Sequence, residues 1–247
     1  MWWDMIKKIK GIVLTVTPYG DNSKIINLLT EELGLVGIMC KGVKSIRNPL
    51  RTKTDRFTLG EFHIDYKEGK LSKLIDIDVI DTYNNIRNDI EKISYATYIT
   101  ELTYQVVKQS RDSNVFNLYI DSLTKLNEGL NPLIITNIIE LKYLDYLGVG
   151  LNFSSCIKCG SKKNIVTIDP DEGGYICKDC YTNELIFNPK TITMLRKYYL
   201  IDIKSITKIS IKDDIIQEIN NFISKYYDRY TGLYLKSKDF LKTLNKL

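Results

Sequence analysis

The sequence predicts an α+β protein in which a small β-barrel precedes a helical domain that carries a four-cysteine module. Three observations predict this class. Apolar residues recur at every second position over residues 1–80, they recur at every third or fourth position from residue 81 onward, and four of the five cysteines form two C-x-x-C pairs. The length of 247 residues favours two or three structural units over one. We expect the barrel at 1–80, the helical domain at 81–155 and 188–247, and the cysteine module between them at 156–187.

The first 80 residues contain five short segments with the pattern of β-strands, separated by turns rich in glycine, proline, asparagine and aspartate. Five strands in so short a stretch fit a closed or partly open barrel, because a lone open sheet would leave its edges unprotected. Residues 24–33 could instead be helical, since periodicity cannot decide so short a run. The predicted strands lie at residues 12–17, 24–30, 35–41, 61–66 and 75–79.

Helical periodicity follows, and one helix has clear boundaries. Asn131 is a suitable N-cap, Pro132 suits the first helical position, and Gly148 stands just past the predicted end. This helix is apolar on more than one face, so we expect it at the buried centre of the helical domain. The pair Asn188-Pro189 repeats the same start signal. The other predicted helices cover residues 86–106, 115–126, 191–200, 213–227 and 237–244.

The cysteine cluster has the spacing of a zinc ribbon. Each C-x-x-C pair can chelate one ion, and the intervening stretch predicts a hairpin that would bring the two pairs together. Four thiolates fill a tetrahedral shell and leave no position for water, which indicates a structural ion rather than a catalytic one. A redox dithiol, disulfides or an iron–sulfur cluster are the alternatives. The predicted ligands of one structural Zn²⁺ are Cys156, Cys159, Cys177 and Cys180.

The fifth cysteine and the lysines near the cluster have separate predicted roles. Cys40 is expected to be a small apolar residue of a strand and not a ligand. A zinc ion with four thiolates has a formal charge of −2, and nearby lysines can offset it. These lysines are Lys158, Lys162, Lys163 and Lys178.

Residues 41–56, which we call the basic loop, connect two predicted strands and contain six basic side chains against one acidic one. Arginine and lysine in a mobile loop beside a barrel can follow a phosphate backbone, and aromatic side chains can stack on bases. An ordinary charged surface loop is the alternative. The predicted nucleic-acid contacts are Lys41, Lys44, Arg47, Arg51, Lys53 and Arg56, extended by Lys7, Lys8 and Lys10, which lead into the first strand. The candidate stacking residues are Trp2, Trp3, Tyr19, Phe57 and Tyr66.

The charge distribution supports this interpretation better than the total does. The formal net charge of +5 divides into +3 over residues 1–80, −3 over residues 81–155 and +5 over residues 156–247. Hydrophobic residues make up 44% of the chain and charged residues 26%, which is typical of a folded protein. No run of 18 apolar residues and no secretory signal is visible, so we expect a cytoplasmic protein without a membrane span.

The sequence offers no convincing acid–base pair, so we expect a protein without catalytic activity. Its single histidine, His63, alternates with apolar residues and is expected on the solvent side of a strand. The motifs G-x-S-x-G, H-E-x-x-H and G-x-G-x-x-G are absent from the sequence. A nuclease that binds Mg²⁺ through Asp169, Asp171 and Glu172 is an alternative, although turn chemistry is sufficient to explain these carboxylates.

Several short motifs occur in the order and spacing of one known family. They are residues 10–14, 18–21, 23–26, 30–34 and 40–43, then Leu147-Gly148 shortly before the first cysteine pair, and finally Lys236-Ser237 followed by Phe240-Leu241. Together they cover nearly the whole chain. In these motifs the sequence resembles the bacterial RecO family of DNA-repair proteins.

The resemblance implies a recombination mediator with an N-terminal OB-fold, a helical domain and a zinc module. Such a protein binds single- and double-stranded DNA and promotes annealing of complementary strands. Together with RecR it helps RecA load onto DNA coated by single-strand-binding protein, whose acidic C-terminal tail it contacts. The resemblance also implies a bacterial cytoplasmic protein that associates with the nucleoid during repair. A zinc-ribbon adaptor that binds protein partners with little direct DNA contact is the alternative function.

Overall fold

The computed structural model describes residues 5–110 and 112–244, and the fold within them begins with a closed five-stranded barrel. Its strands are hydrogen-bonded in the order β1-β2-β3-β5-β4, and β4 returns to β1. All pairs are antiparallel except β3 and β5, which close the barrel through a short parallel contact. This confirms the predicted α+β class and its barrel. The strands are β1 (Met5–Tyr19), β2 (Ser23–Thr30), β3 (Gly34–Cys40), β4 (Leu59–Tyr66) and β5 (Ser72–Asp81).

The first strand is longer than the sequence pattern predicts. Its first half pairs with β4 and its second half with β2, around an irregularity between Val13 and Thr15. Lys7, Lys8 and Lys10 therefore lie inside β1 rather than in a segment that leads into it. The pattern failed there because Ile6 and Ile9 are separated by two lysines and therefore show no alternation, and only Ile9 of the two is buried.

The helical alternative for residues 24–33 is wrong. Residues 23–30 form β2, which pairs along its length with β1 on one edge and β3 on the other. Where the local pattern is ambiguous, hydrogen bonds to two neighbouring strands determine the conformation of the segment. Ile26 and Leu28 of β2 point into the barrel, where they pack with Cys40 and Phe62. Cys40 is thus the buried apolar residue that the sequence predicts, and burial raises the pKa of its thiol to about 12.

The helices follow the barrel, and the predicted caps are present. The side-chain oxygen of Asn131 accepts a hydrogen bond from the Ile134 backbone N–H at 3.0 Å, and Asn188 caps its helix in the same way. The helix after Asn131 is buried on nearly every side, as predicted. The helices are α1 (Asn84–Arg87), α2 (Ile90–Gln109), α3 (Asn114–Asn127), α4 (Pro132–Tyr146), α5 (Pro189–Leu200), α6 (Asp213–Tyr230) and α7 (Lys236–Leu244).

The cysteine module is a small sheet of three strands between α4 and α5. Strands β7 (Ile165–Asp169) and β8 (Gly174–Cys177) form the predicted hairpin. A strand that the sequence pattern did not predict, β6 (Asn152–Cys156), adds to β8 in parallel. The polar sequence of β6 has no strand periodicity, so only its pairing defines it.

Two hydrophobic clusters stabilise the molecule. One fills the barrel interior. The other is larger and joins the outer face of the barrel, through Ile12, Leu14 and Leu29, to the helices and to Phe153 and Ile168 of the cysteine module. Barrel, helices and module therefore pack against one another. In the part of the chain that the structure describes, no helix is both long enough and apolar enough to cross a membrane.

Candidate functional site

The four cysteines of the module lie close enough to share one ion. All four sulfur atoms are within 4.8 Å of one another, and Sγ of Cys159 and Sγ of Cys177 are 3.6 Å apart. Zn–S bonds of 2.3 Å in a tetrahedron place sulfur atoms about 3.8 Å apart, so these positions fit a tetrathiolate site. Among residues 5–110 and 112–244, this is the one group of three or more histidine, cysteine or carboxylate side chains arranged to hold a metal.

Each cysteine pair sits on a tight turn that the local sequence permits. In the first turn the Gly160 backbone N–H donates to the carbonyl of Cys156 at 2.8 Å, and Gly160 adopts a φ of 74°, a conformation that favours glycine. In the second turn the backbone N–H groups of Cys180 and Tyr181 both donate to the carbonyl of Cys177. The turns direct the two sulfur atoms of each pair to the same point.

The thiols influence one another's ionisation strongly. Burial opposes the ionisation of Cys156, but neighbouring backbone N–H groups outweigh it and lower the pKa of this thiol to about 6. The hydrogen bond to Cys159 raises the pKa of the Cys180 thiol to about 12. Adjacent negative charges repel, so the cluster becomes fully ionised only around a cation. The donor set therefore fits a soft divalent ion.

Two of the three carboxylates that a nuclease would require, Asp169 and Asp171, have structural contacts here. The side chain of Asp169 accepts the backbone N–H of Asp171 at 2.9 Å, which closes the turn. Asp171 in turn accepts a hydrogen bond from Arg229 of α6 at 2.8 Å. The turn is thereby attached to α6, where Tyr230 also donates to the Asp171 carbonyl. These contacts explain the acidic turn as a structural feature.

The basic loop is folded into a series of turns that pack against the barrel. Val43 is buried and Leu50 is half-buried against the barrel interior, so the loop covers one end of the barrel. The Lys44 backbone N–H donates to the carbonyl of Asn22 at 3.0 Å, and a series of turns continues from residue 45 to residue 58. The side chain of Asn48 reinforces the turns by donating to the carbonyl of Gly42 and accepting the backbone N–H of Leu50.

Most of the loop's positive charge is directed to solvent. Its one acid, Asp55, is paired with Lys24 of β2, whose Nζ lies 2.8 Å from Asp55 Oδ1. Lys44 donates to the carbonyl of Gly20, and Lys53 donates to the carbonyl of Ile77 on β5. Within the described residues, four further side chains of the loop are exposed and form no ion pair. They are Lys41, Arg47, Arg51 and Arg56.

The three basic residues of β1, which we call the β1 lysines, are in a different environment. Lys8 Nζ lies 2.6 Å from Glu61 Oε2 and 3.6 Å from Asp78 Oδ2. Lys10 Nζ lies 3.2 Å from Glu31 Oε2. The Lys7 ammonium lies 4.4 Å from the centroid of the Tyr66 ring. Each of the β1 lysines therefore has a partner within the molecule.

The candidate stacking residues are in different environments. Phe57 is buried between barrel and helices, so its ring is not available to a base. Tyr66 is half-buried beneath Lys7, whereas Tyr19 is exposed. The candidates Trp2 and Trp3 lie outside the described residues.

The sequence patterns did not reveal three features of this surface. Arg87 of α1 donates to the carbonyls of Thr82 and Arg56, and thereby attaches the end of the basic loop to the helices. Arg196 and Lys197 of α5 line a groove beside the cysteine module. Ile46 is an exposed apolar residue within the basic loop. Of these three features, only the exposure of Ile46 could have been noticed in the sequence, because an isoleucine stands there among polar residues of the loop.

The fold and these features define a class of protein: a small barrel of the OB type with a basic loop, joined to helices and a cysteine module. Residues 5–83 match the family described as Recombination protein O N terminal, and residues 87–239 match Recombination protein O C terminal. The chain belongs to the RecO family of DNA repair proteins.

Relatives support the assignment over nearly the full length. The DNA repair protein RecO of Bacillus pumilus (strain SAFR-032) is 33% identical over 247 residues, which cover 98% of this chain and 96% of that protein. RecO of Bacillus subtilis (strain 168) is 32% identical with the same coverage of both chains. RecO of Listeria monocytogenes serotype 4b (strain CLIP80459) is 30% identical over 245 residues, 98% of this chain and 96% of that protein.

Proposed function

We propose that this protein is a recombination mediator without catalytic turnover. It binds single- and double-stranded DNA through the basic loop and promotes annealing. Together with RecR it helps RecA load onto DNA coated by single-strand-binding protein. The observation that carries the proposal is the folded basic loop, whose exposed Lys41, Arg47, Arg51 and Arg56 form no ion pair within the described residues. These side chains can neutralise two phosphate backbones at once, which removes the repulsion that opposes annealing.

Annealing of complementary single strands, with and without single-strand-binding protein and RecR, tests the proposal. The variant Arg47→Glu/Arg51→Glu should lose DNA binding and annealing, because two exposed cations of the loop become anions. A matched variant, Lys204→Glu/Lys208→Glu, changes the net charge equally on exposed residues near the C-terminal helices and should retain both activities. Full annealing by the loop variant would favour the alternative function, a zinc-ribbon adaptor.

We also propose that the cysteine cluster holds one structural Zn²⁺ per chain. The four-sulfur donor set supports this choice, since thiolates bind Zn²⁺ tightly and the ion would offset their charge. Metal analysis of the purified protein should find about one zinc per chain, and Cys177→Ser should lose the ion and unfold at a lower temperature. The control Cys40→Ala alters the buried cysteine of the barrel and should keep the zinc. A folded native protein free of metal would contradict the proposal.

We propose that the acidic tail of single-strand-binding protein binds in the groove between the cysteine module and α5. The groove has a volume of about 1110 Å³. Its floor is apolar, with Phe153, Tyr175 and Ile192, while Ile186 and Leu200 remain exposed. Its lining includes three cations and no carboxylate, which complements an acidic peptide with apolar side chains. The three cations are Lys162, Arg196 and Lys197.

Binding of a peptide with the sequence of that tail tests the groove. Arg196→Glu/Lys197→Glu should weaken peptide binding at least tenfold, because attraction at the rim becomes repulsion. The control Lys204→Glu/Lys208→Glu lies outside the groove lining and should bind the peptide normally. Normal binding by the α5 variant would show that the tail uses another surface.

A further inference from the structure

Ile46 occupies an unusual position in the basic loop. It is 86% exposed, the highest value among the large apolar side chains of the described residues. It lies at a central position of the turn in which the Asn48 backbone N–H donates to the carbonyl of Ser45 at 3.0 Å. Central positions of turns favour glycine, proline, asparagine, aspartate and serine, and a β-branched apolar residue is uncommon there. Ile46 is therefore an unfavourable residue for this turn position, and burial of its side chain does not compensate for this.

The loop holds this side chain outward in a defined position. Buried Val43 anchors the segment on one side and half-buried Leu50 anchors it on the other. Between them, the hydrogen bonds of the Asn48 side chain to Gly42 and Leu50 stabilise the turn. Ile46 is therefore presented by a turn whose backbone is held by hydrogen bonds on both sides.

The neighbours of Ile46 determine which partner fits it. Lys44 precedes it by two residues, and exposed Arg47 follows it directly, with no acidic residue between positions 41 and 54. A ligand at this turn must therefore offer anionic groups beside an apolar surface. Single-stranded DNA does so, because its phosphates alternate with bases whose faces are not stacked within a duplex. A single exposed isoleucine has no functional meaning by itself, but one at the apex of a cationic turn combines both requirements.

We propose that Ile46 contacts the faces of unpaired bases and gives the basic loop a preference for single-stranded over duplex DNA. The inference rests on the proposed DNA-binding role of the loop. The flanking cations hold the backbone, and the apolar side chain rests against a base or enters between two neighbouring bases. In other DNA-binding proteins apolar side chains enter base steps of a duplex, and each insertion must unstack the bases at a cost in free energy. In an intact duplex the bases are stacked, so the same contact is not available without unstacking.

Salt dependence of DNA affinity separates this role from a purely electrostatic one. An uncharged side chain releases no counterion, so its removal lowers affinity without changing the slope of log K against log salt. Ile46→Ala should bind single-stranded DNA roughly fivefold more weakly at every salt concentration, and duplex DNA less than twofold more weakly. Ile46→Phe should retain or strengthen single-strand binding. The control Ile90→Ala changes another exposed isoleucine, at the start of α2, and should have no effect.

A base analogue reports the contact directly. The fluorescence of 2-aminopurine within a single strand should change when the native protein binds, and should change less with Ile46→Ala at saturating protein. Native affinity of Ile46→Ala, or an equal loss for both forms of DNA with a smaller salt slope, would overturn the inference. If Arg47→Glu/Arg51→Glu also bound DNA normally, the proposed function itself would fail, so the two failures are distinguishable.

Discussion

The basic loop and the β1 lysines are both rich in positive charge, but they differ in whether carboxylates lie next to that charge. In the loop the single acid is neutralised by Lys24 of β2, and the exposed cations form no ion pair in the part of the chain that the structure describes. On β1, Glu61 and Asp78 surround Lys8, and Glu31 faces Lys10. The formal charge of a segment therefore does not determine the charge that it offers to a ligand. What matters is whether the fold brings carboxylates to the same surface.

The largest expected effect is a change of stability with pH. DNA binding by the two surfaces can be compared at different pH values only where the protein is folded, so this change is measured first. Burial raises the pKa of Glu140 on α4 to about 7, although the hydrogen bond from Tyr98 lowers it. Between about pH 4.5 and pH 7 the folded state holds a proton that the unfolded state releases, so the free energy of unfolding should fall by about 3 kcal/mol as pH rises. Urea denaturation of Glu140→Gln should show little of this dependence, because the amide does not ionise.

The control for Glu140 is Glu91→Gln, which removes an exposed carboxylate at the start of α2 and should keep the native pH dependence. If Glu140→Gln lost stability with rising pH as the native protein does, another group would be responsible.

The next effect compares the basic loop directly with the β1 lysines. Each of two double variants removes two positive charges, one from the loop and the other from β1. Arg47→Ala/Arg51→Ala should weaken duplex DNA binding roughly tenfold at low salt and reduce the magnitude of the salt slope by about 1.8, since each lost phosphate contact removes about 0.9. Lys8→Ala/Lys10→Ala should change the affinity less than twofold, because these lysines are already paired. Fluorescence anisotropy across a salt series measures both. Equal losses for the two variants would show that internal pairing does not hide the β1 lysines from DNA.

The smallest effect comes from releasing a β1 lysine. Glu61→Gln/Asp78→Asn removes both carboxylates that contact Lys8, so DNA affinity should rise about threefold. The variant Glu32→Gln/Glu68→Gln removes two exposed carboxylates of the same barrel that form no ion pair within the described residues. A similar gain in this control would mean that net charge alone, and not the release of Lys8, changes the affinity.

Much of the fold could be predicted because it depends on neighbours in the sequence. The caps Asn131 and Asn188 act on backbone groups two or three residues away, and the predicted helix starts are therefore correct. Each cysteine pair forms its turn within four residues, so the spacing alone indicated one site. Alternation of apolar residues marked the barrel strands, although β1 extended beyond its apolar part because β4 pairs with it.

By itself, then, the sequence determined the barrel, the helices and the cysteine cluster, since caps, turns and periodicity are local interactions. Only the tertiary structure decided which of the exposed cations are paired with carboxylates. Lys8 meets Glu61, and Lys24 meets Asp55, across strand and loop contacts between residues far apart in the chain. The tertiary structure also decided the conformation of β6, which is a strand only because it pairs with β8. Pairings of this kind follow from strand register and packing, which no local pattern specifies.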